Sequence, residues 1–311
     1  MMQRYRSLVD AAVQRWCDAL PAQGLYAPMA YLMGLPAKRV RPVATLMACE
    51  LFGGDVEQAL EEAIGIELFH NFTLMHDDIM DASPLRRGDP TVHVKWNVNT
   101  AILSGDAMLV KAYQLMGASA EVFQLFNRYA LLVCEGQQQD MDFEQRDDVT
   151  AAEYMEMIRL KTAVLLACAM EIGAAKAGAA PEERERIGRF GERLGLAFQL
   201  RDDVLDAFGD PALTGKQRGG DLRAGKKTWL LLRGLELVGS DLRAQLSAAP
   251  ADRDVAAMVR TLEEAGVRQE AEALIATMES EALEALDALQ VDDARKLPLR
   301  DLASTLMARK H

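Results

Sequence analysis

Two aspartate triplets with the same spacing, D-D-x-x-D, are the residues of this sequence best suited to chemistry. The first triplet is Asp77, Asp78 and Asp81, and the second is Asp202, Asp203 and Asp206. Carboxylate oxygens suit hard divalent cations, and Mg²⁺ prefers a few carboxylates together with water and substrate phosphates. One such triplet alone is usually a solvated helix end. Because the pattern occurs twice, it favours metal sites that handle a phosphorylated substrate.

Basic side chains lie close in sequence to the first triplet. Arg86 and Arg87 follow it, in a segment that Pro84, Gly88 and Pro90 prevent from being helical throughout. Cations beside carboxylates could grip a polyphosphate both directly and through metal. A plain surface salt bridge to the acids is the alternative.

Two further segments have the composition of anion sites. Lys38, Arg39 and Arg41 precede a helical run predicted over 43–52, where backbone N–H groups and the helix dipole favour an anion. A solvated basic loop explains the same pattern. Residues 208–229 form a glycine-rich stretch with five cations, namely Lys216, Arg218, Arg223, Lys226 and Lys227.

Long helices are predicted to carry these groups. Ile64, Phe72 and Ile79 belong to a set of apolar residues that recur at helical spacing before the first triplet, so one helix face is core. Before the second triplet, small and polar residues follow one helix face: Gly188, Gly191, Gly195 and Gln199. These glycines let a neighbouring helix or a ligand approach the backbone closely.

A further helix is predicted over residues 150–175. It begins with a capping-box pattern, Thr150 and Glu153. Lys161 and Thr162 interrupt its apolar run, which a purely buried helix would avoid. The alternative is a lysine whose stem lies on the surface while its ammonium reaches water.

Composition excludes several classes of protein. The chain has 311 residues, 50% of them hydrophobic, and a net charge of −12, which argues against a general binder of nucleic acid or of anionic membranes. Cys17, Cys49, Cys134 and Cys168 are widely spaced and are expected to be core residues in a reducing compartment. We find no signal segment and no apolar run of about 18 residues, so we expect a cytoplasmic protein without stable membrane insertion. No alternating strand pattern or domain linker occurs, which predicts a single all-α domain over 1–311.

Together these residues resemble the trans-isoprenyl diphosphate synthases, the polyprenyl synthetase family, from about Lys38 to Lys227. The resemblance implies an all-α isoprenoid-synthase bundle of about ten or more mostly antiparallel helices around a deep central cavity, usually in a homodimer. It implies a head-to-tail condensation of isopentenyl diphosphate with an allylic diphosphate. Two positions depart from the family pattern: Leu35-Pro36-Ala37 replaces a common Gly-Gly, and Arg201 replaces a glutamine.

The resemblance also implies roles for individual residues. The residues that would bind isopentenyl diphosphate are Lys38, Arg41, His70 and Arg87. Those that would grip the allylic diphosphate are Arg86, Lys161, Lys216 and Lys226. Thr162 and Gln199 correspond to polar groups beside the allylic carbon. The six aspartates would hold about three Mg²⁺ ions, with Asp78 and Asp203 helping to orient ligands.

The size of the side chains just before the first triplet is the feature that, by the family resemblance, implies a product length. In the family these positions form the floor of the cavity, and here they are Phe72 and Thr73. One aromatic residue in place of two resembles synthases of geranylgeranyl diphosphate, made from dimethylallyl, geranyl or farnesyl primers. A farnesyl diphosphate synthase is the alternative.

Three other readings of the sequence are open. A terpene cyclase shares the first triplet and the all-α class, but its second metal motif usually has a different pattern. A catalytically silent partner subunit would not need intact acids, arginines and lysines. A helical scaffold with surface charge would not explain why cation clusters accompany both acid clusters.

Overall fold

The computed structural model describes residues 2–210 and 218–308, and it confirms the all-α prediction. The α-helices are α1 (Met2–Asp18), α2 (Ala27–Gly34), α3 (Val40–Leu51), α4 (Leu60–Met80), α5 (Val92–Lys95), α6 (Val98–Met116), α7 (Ala120–Glu144), α8 (Ala151–Ile158), α9 (Val164–Lys176), α10 (Pro181–Phe208), α11 (Gly220–Ala224), α12 (Trp229–Leu246), α13 (Val255–Glu264), α14 (Val267–Asp287) and α15 (Asp293–Met307). Shorter turns are the 3₁₀ segments Gly24–Tyr26, Val56–Ala59 and Pro250–Asp252, and the π-helical segment Arg159–Ala163.

Strand structure in the described ranges is limited to one small hairpin. Leu85–Arg86 (β1) pairs antiparallel with Asp89–Pro90 (β2). It occupies the proline- and glycine-containing segment that the sequence predicts to be non-helical. Among the described residues, no helix combines the length and apolar character needed to cross a membrane.

Tertiary contacts divide the chain into two compact units. Unit 1 holds the described residues up to Arg128, with Cys168–Ile187 and Gln290–Leu299. Unit 2 holds Tyr129–Ala167, Gly188–Leu289 and the described residues from Arg300 onward. The first aspartate triplet therefore belongs to unit 1 and the second to unit 2. The expectation of a single domain stays a prediction.

Helix α4 forms the core of unit 1. It packs mainly against α6 and α3. Its side chains are buried around much of its circumference, with Ile66 and Leu68 at 0% exposure and Phe69 at 1%. The Phe69 ring meets Phe126 edge-on, with centroids 5.2 Å apart. This packing holds the end of α4, and with it the first triplet, in a defined position.

Helix α12 forms the core of unit 2, where it packs against α8, α13 and α14. The predicted capping box of α8 is confirmed, because Thr150 and Glu153 exchange hydrogen bonds with each other's backbone. The predicted helix over 150–175 is correct in extent, but a π-helical segment interrupts it at Arg159–Ala163.

The prediction that all four cysteines are core residues is partly wrong. None of the four cysteines is in a disulfide, and Cys49 and Cys168 are buried as expected. Cys134 is exposed, and Cys17 is only partly buried. The sequence could not distinguish them, because both lie on amphipathic helices whose buried face depends on the neighbours.

Candidate active site

The first triplet ends helix α4. Asp77 and Asp78 lie in its last turn, and Asp81 follows it, with its backbone N–H donating to the Asp77 carbonyl at 2.9 Å. Asp78 is 2% exposed, whereas Asp77 is partly exposed and Asp81 is exposed. Because the helix dipole opposes acids at a C-terminus, these carboxylates need cationic partners.

Arg86 of the hairpin is such a partner. Its Nε donates to Asp78 Oδ2 at 2.7 Å, and its Nη2 forms an ion pair with Asp78 Oδ1 at 2.7 Å. The same Nη2 is 3.8 Å from Asp77 Oδ2. Thr91 fastens the base of the hairpin, since its hydroxyl donates to the Ser83 carbonyl at 2.8 Å. Both carboxylate oxygens of Asp78 thus contact Arg86, which favours a role for this aspartate in orienting ligands.

His70, Arg41 and Arg87 form a second polar group in unit 1. Arg41 Nη1 lies 3.2 Å from His70 Nε2. Burial lowers the pKa of His70 well below its usual value, and the charges of Arg41 and Arg87 lower it further. The buried Nη1 of Arg87 has no hydrogen-bond partner in the part of the chain that the structure describes. A buried donor without an acceptor suits an anionic ligand. Lys38 is exposed.

Arg39 has a structural role that the sequence did not separate from those of its neighbours. It is 6% exposed, and its Nη1 lies 2.6 Å from Glu67 Oε1. A second nitrogen donates to the Met33 carbonyl, and Asn71 Nδ2 donates to the same Glu67 oxygen at 3.1 Å. Arg39 therefore holds α3 against α4 and is not part of an anion site. Its partner lies 28 residues away in sequence, so no local pattern could reveal the pair.

The second triplet lies near the end of α10 in unit 2. Asp203 is 5% exposed, whereas Asp202 and Asp206 are partly exposed. The Tyr154 hydroxyl donates to Asp203 Oδ2 at 2.6 Å, and Gln199 Nε2 donates to Asp203 Oδ1 at 3.1 Å. Burial raises the pKa of Asp203 to about 7, against the opposing effect of both hydrogen bonds. Sequence reasoning missed Tyr154, since a tyrosine on the apolar face of a helix is typical of a core.

Lys161 lies in the π-helical segment, where two glycines allow close packing. A Cβ added at Gly136 of α7 would lie 2.7 Å from the Leu160 carbonyl carbon and would also collide with the Lys161 backbone nitrogen. A Cβ added at Gly195 of α10 would lie 2.8 Å from Ala163 Cα. The prediction of close approach along the glycine face is therefore confirmed at Gly195, and the approaching group is a neighbouring helix.

Acidic residues accompany the lysines of unit 2. Lys161 Nζ lies 2.6 Å from Asp140 Oδ2 on α7. Although desolvation lowers the pKa of Lys226, the carboxylates of Asp221 and Asp140 outweigh it, and that pKa is raised. Asp206 Oδ2 accepts the backbone N–H of Asp221 at 3.0 Å. The sequence analysis did not identify Asp221. Its position as an acidic residue within a strongly cationic stretch is the feature that could have drawn attention to it.

Other cations near the second triplet are structural or lie outside the described residues. Lys227 Nζ donates to the carbonyls of Phe143 at 2.6 Å and Glu144 at 3.3 Å, so it caps the end of α7. Arg201, whose role the sequence left open, lies 3.5 Å from Glu279 of α14. Lys216 falls in the segment that the structure does not describe. The predicted role of Lys216 stays a prediction.

The donor chemistry of both triplets fits Mg²⁺. In residues 2–210 and 218–308, no three His, Cys, Asp or Glu side chains are arranged to hold a metal by themselves. Mg²⁺ does not need such a cage, because it retains waters and shares substrate phosphates. The triplets offer only carboxylate oxygens, and cations lie beside them. The residues present therefore suit a metal that arrives with a phosphorylated ligand.

The two positions predicted to set product length differ in surroundings. Phe72 is 9% exposed, and its ring centroid lies 4.8 Å from that of His76, one turn further along α4. Thr73 is partly exposed, and its hydroxyl donates to the His70 carbonyl at 2.8 Å. Thr73, one turn before Asp77, therefore shares the aspartate face, whereas Phe72 packs beside it.

Comparisons with known proteins by sequence and by structure agree. The profile of the polyprenyl synthetase family matches residues 22–264. The chain is 37% identical over 313 residues to a geranylgeranyl diphosphate synthase of Methanosarcina mazei, covering 98% of this chain and 96% of the relative. It is also 37% identical to a geranylfarnesyl diphosphate synthase of Natronomonas pharaonis, with coverage of 98% and 96%.

Solved structures give a similar result. A crystal structure of a geranylgeranyl pyrophosphate synthase aligns with a TM-score of 0.93 at 42% identity, covering 100% of this chain and 99% of the other. A geranylgeranyl pyrophosphate synthase from Corynebacterium glutamicum, solved with isoprenyl diphosphate and magnesium, aligns with a TM-score of 0.86 at 28% identity and covers 99% of each chain.

Proposed function

Because the chain belongs to the polyprenyl synthetase family, we propose that it condenses isopentenyl diphosphate head-to-tail with an allylic diphosphate. It is a short-chain trans-prenyltransferase. The observation that carries the proposed reaction is the pair of D-D-x-x-D triplets, each at a helix end with cations beside it. This donor set suits the Mg²⁺ complex of a diphosphate.

In this reaction the C–O bond of the allylic diphosphate breaks, and pyrophosphate leaves with the electron pair. The double bond of isopentenyl diphosphate then donates its electrons to the allylic cation, which forms the new carbon–carbon bond. Loss of one proton restores a double bond, and the departed pyrophosphate accepts that proton. Mg²⁺, when bound, neutralises the negative charge that develops on the leaving group.

The polar group of unit 1 is assigned to isopentenyl diphosphate. It consists of Lys38, Arg41, His70 and Arg87. The unpartnered Arg87 Nη1 supplies a buried donor for a phosphate oxygen. The neutral imidazole of His70, whose pKa burial and the nearby arginines lower, can donate a hydrogen bond without adding charge.

A second set of side chains is assigned to the allylic diphosphate. It consists of Arg86, Lys161, Lys216 and Lys226. Lys161 is held by Asp140 at 2.6 Å, and this contact keeps the ammonium oriented when no phosphate is bound. Thr162 and Gln199 are assigned to positions beside the allylic carbon. Holding both substrates at bonding distance contributes through proximity.

The metal ligands are proposed to be chiefly the outer aspartates, Asp77, Asp81, Asp202 and Asp206, with about three Mg²⁺ ions per site as the family implies. Asp78 and Asp203 are assigned mainly to orientation, since both oxygens of each already contact protein groups: Arg86 donates to one oxygen of Asp78 and forms an ion pair with the other, and Asp203 accepts two hydrogen bonds.

The proposed product is geranylgeranyl diphosphate, with farnesyl diphosphate as the alternative. Support comes from the single aromatic residue, Phe72, before the first triplet and from the geranylgeranyl names of several relatives. A relative of equal identity is named for the longer geranylfarnesyl product, so overall sequence identity does not distinguish between these product lengths.

A homodimer in the cytoplasm is part of the proposal. Helix α6 exposes apolar side chains along one side, namely Val98 at 46%, Ile102 at 41%, Leu103 at 60% and Val110 at 56%. Burying this face against a second copy would remove apolar surface from water. Cysteines without disulfides agree with a reducing compartment.

The test is to incubate the purified protein with Mg²⁺, dimethylallyl diphosphate and isopentenyl diphosphate, and to determine the chain length of the product. We expect a prenyl diphosphate of geranylgeranyl length, and no product after chelation of the metal. A cyclic hydrocarbon would indicate a terpene cyclase. No product with any allylic primer would indicate a silent partner subunit and would overturn the proposal.

A further inference from the structure

Asp203 stands at the centre of a buried chain of hydrogen bonds in unit 2. Tyr154, on α8, donates to its Oδ2 at 2.6 Å, and Gln199, one turn earlier on α10, donates to its Oδ1 at 3.1 Å. Tyr154 is 2% exposed and Asp203 is 5% exposed. Gln199 is more exposed than either, so the chain runs from the core of the unit towards an accessible amide.

This chain determines which way the Gln199 amide points. Both oxygens of Asp203 accept hydrogen bonds in this chain, so the amide nitrogen of Gln199, and not its amide oxygen, faces Asp203. The Tyr154 hydroxyl occupies the other carboxylate oxygen and keeps Asp203 in that orientation. Because Gln199 Nε2 takes the contact with Asp203 Oδ1, the amide oxygen Oε1 is the atom that the side chain turns away from Asp203.

We propose that Tyr154 is a positioning residue that acts through Asp203 to present the carbonyl oxygen of Gln199 to the allylic carbon as it becomes positive. The inference rests on the proposed function, in which Gln199 lies beside that carbon. An amide oxygen stabilises a developing cation, whereas the reversed amide would present N–H groups and oppose it. Asp203 is thereby a supporting residue of the second triplet.

The conservative variant Tyr154→Phe tests this link, because it removes the hydroxyl and keeps the ring. We expect kcat to fall about tenfold, in the range typical of supporting residues, while KM for both substrates changes less than about twofold. The Mg²⁺ concentration that gives half the maximal rate should not change, since no ligand of the metal is lost.

A double-mutant cycle with Gln199→Ala separates positioning from a general structural role. If Tyr154 acts through Gln199, Tyr154→Phe should change kcat less than about twofold when Gln199 is already alanine. Equal losses of kcat in both backgrounds would overturn the inference while leaving the proposed function intact. A wild-type protein without prenyl transfer would overturn both.

Tyr5→Phe is the matched control. Tyr5 is 1% exposed, and its hydroxyl donates to the carboxylate of Glu50 in unit 1, so the variant loses the same kind of buried contact. It should lower the unfolding free energy without lowering kcat. If its kcat falls as much as that of Tyr154→Phe, the inference is wrong.

Should Tyr154→Phe fail to fold, Asp203→Asn tests the same link. Its amide can donate to Gln199 Oε1, so Gln199 is no longer held in one orientation. We expect Asp203→Asn to lower kcat when Gln199 is present but not when Gln199 is already alanine. The Mg²⁺ requirement of Asp203→Asn should equal that of the wild type. A raised Mg²⁺ requirement would identify Asp203 as a metal ligand and overturn the inference.

Discussion

Within each aspartate triplet, the middle side chain differs from the outer two. Asp78 and Asp203 are 2% and 5% exposed, and both oxygens of each contact protein groups, through one hydrogen bond and one ion pair at Asp78 and through two hydrogen bonds at Asp203. A buried carboxylate needs such partners, because removing it from water is costly. The outer aspartates are more accessible, as a ligand of a hydrated metal must be.

Asp77→Ala should lower kcat at least about a hundredfold, since a contact made in the transition state is worth a few kcal/mol. The rate should be measured with Mg²⁺ and both substrates saturating. Glu284→Ala, which removes an exposed carboxylate of α14, is the control and should leave kcat unchanged. A near-normal rate in Asp77→Ala would count against the metal role of the first triplet.

His70 should make the stability of the protein depend on pH. Burial and the nearby arginines hold its folded-state pKa below the ordinary value of 6.5. Below about pH 6.5 the unfolded chain therefore binds a proton that the folded protein does not, and the free energy of unfolding falls as pH falls. Above that pH the effect is absent.

This pH effect can be measured by urea unfolding between about pH 5.5 and pH 8 in the wild type and in His70→Gln. The variant should show a smaller loss of stability on acidification. Identical pH dependence in the two proteins would show that His70 has the same pKa in the folded and the unfolded protein.

Phe72→Ala should lengthen the prenyl product if this ring limits the cavity. The measurement is the distribution of product lengths with a fixed allylic primer. The variant also removes a buried ring, so its stability should fall by about 3–5 kcal/mol. Phe123→Ala, which truncates a side chain that is 38% exposed, is the control. An unaltered product distribution would place the floor elsewhere, with Thr73 as the next position to test.

The π-helical segment between α8 and α9 shows how helix packing positions site residues. Its five residues, Arg159–Ala163, include Lys161 and Thr162. An extra residue in a helical turn redirects the side chains that follow, and such turns are frequent at functional sites. Gly136 and Gly195 make room for this wider backbone.

Gly136→Ala should therefore displace the segment. We expect a loss of about 1–3 kcal/mol of stability from overpacking, together with a reduced kcat because Lys161 moves. Gly34→Ala is the matched control, since outside its own helix backbone and chain neighbours no heavy atom of the described residues lies within 4 Å of the added Cβ. Equal stability and activity in the two variants would mean that the segment tolerates the added methyl group.

For the protein as a whole, the exposed apolar side of α6 predicts self-association. Leu103→Asp places a charge on this face, where Leu103 is 60% exposed, and should convert a dimer into a monomer. Sedimentation equilibrium measures the mass directly. Leu283→Asp on α14, where the leucine is 39% exposed, is the control and should remain dimeric. A wild-type protein that is monomeric at micromolar concentration would contradict the prediction.

The amino-acid sequence by itself determined the all-α class, the capping box at Thr150 and Glu153, and the two D-D-x-x-D triplets. Each of these features depends on residues a few positions apart, where helical periodicity and short motifs carry the information. It also placed the chain beside a known family, and the comparisons confirm that resemblance.

Only the tertiary structure decided which charged groups serve the fold. Arg39 pairs with Glu67, Lys227 caps α7, and Tyr154 bonds to Asp203, 49 residues away. In sequence these residues look like an anion-binding cation, a basic loop and a core aromatic. Burial and pairing depend on which helices meet, and that is set by packing between segments far apart in the chain.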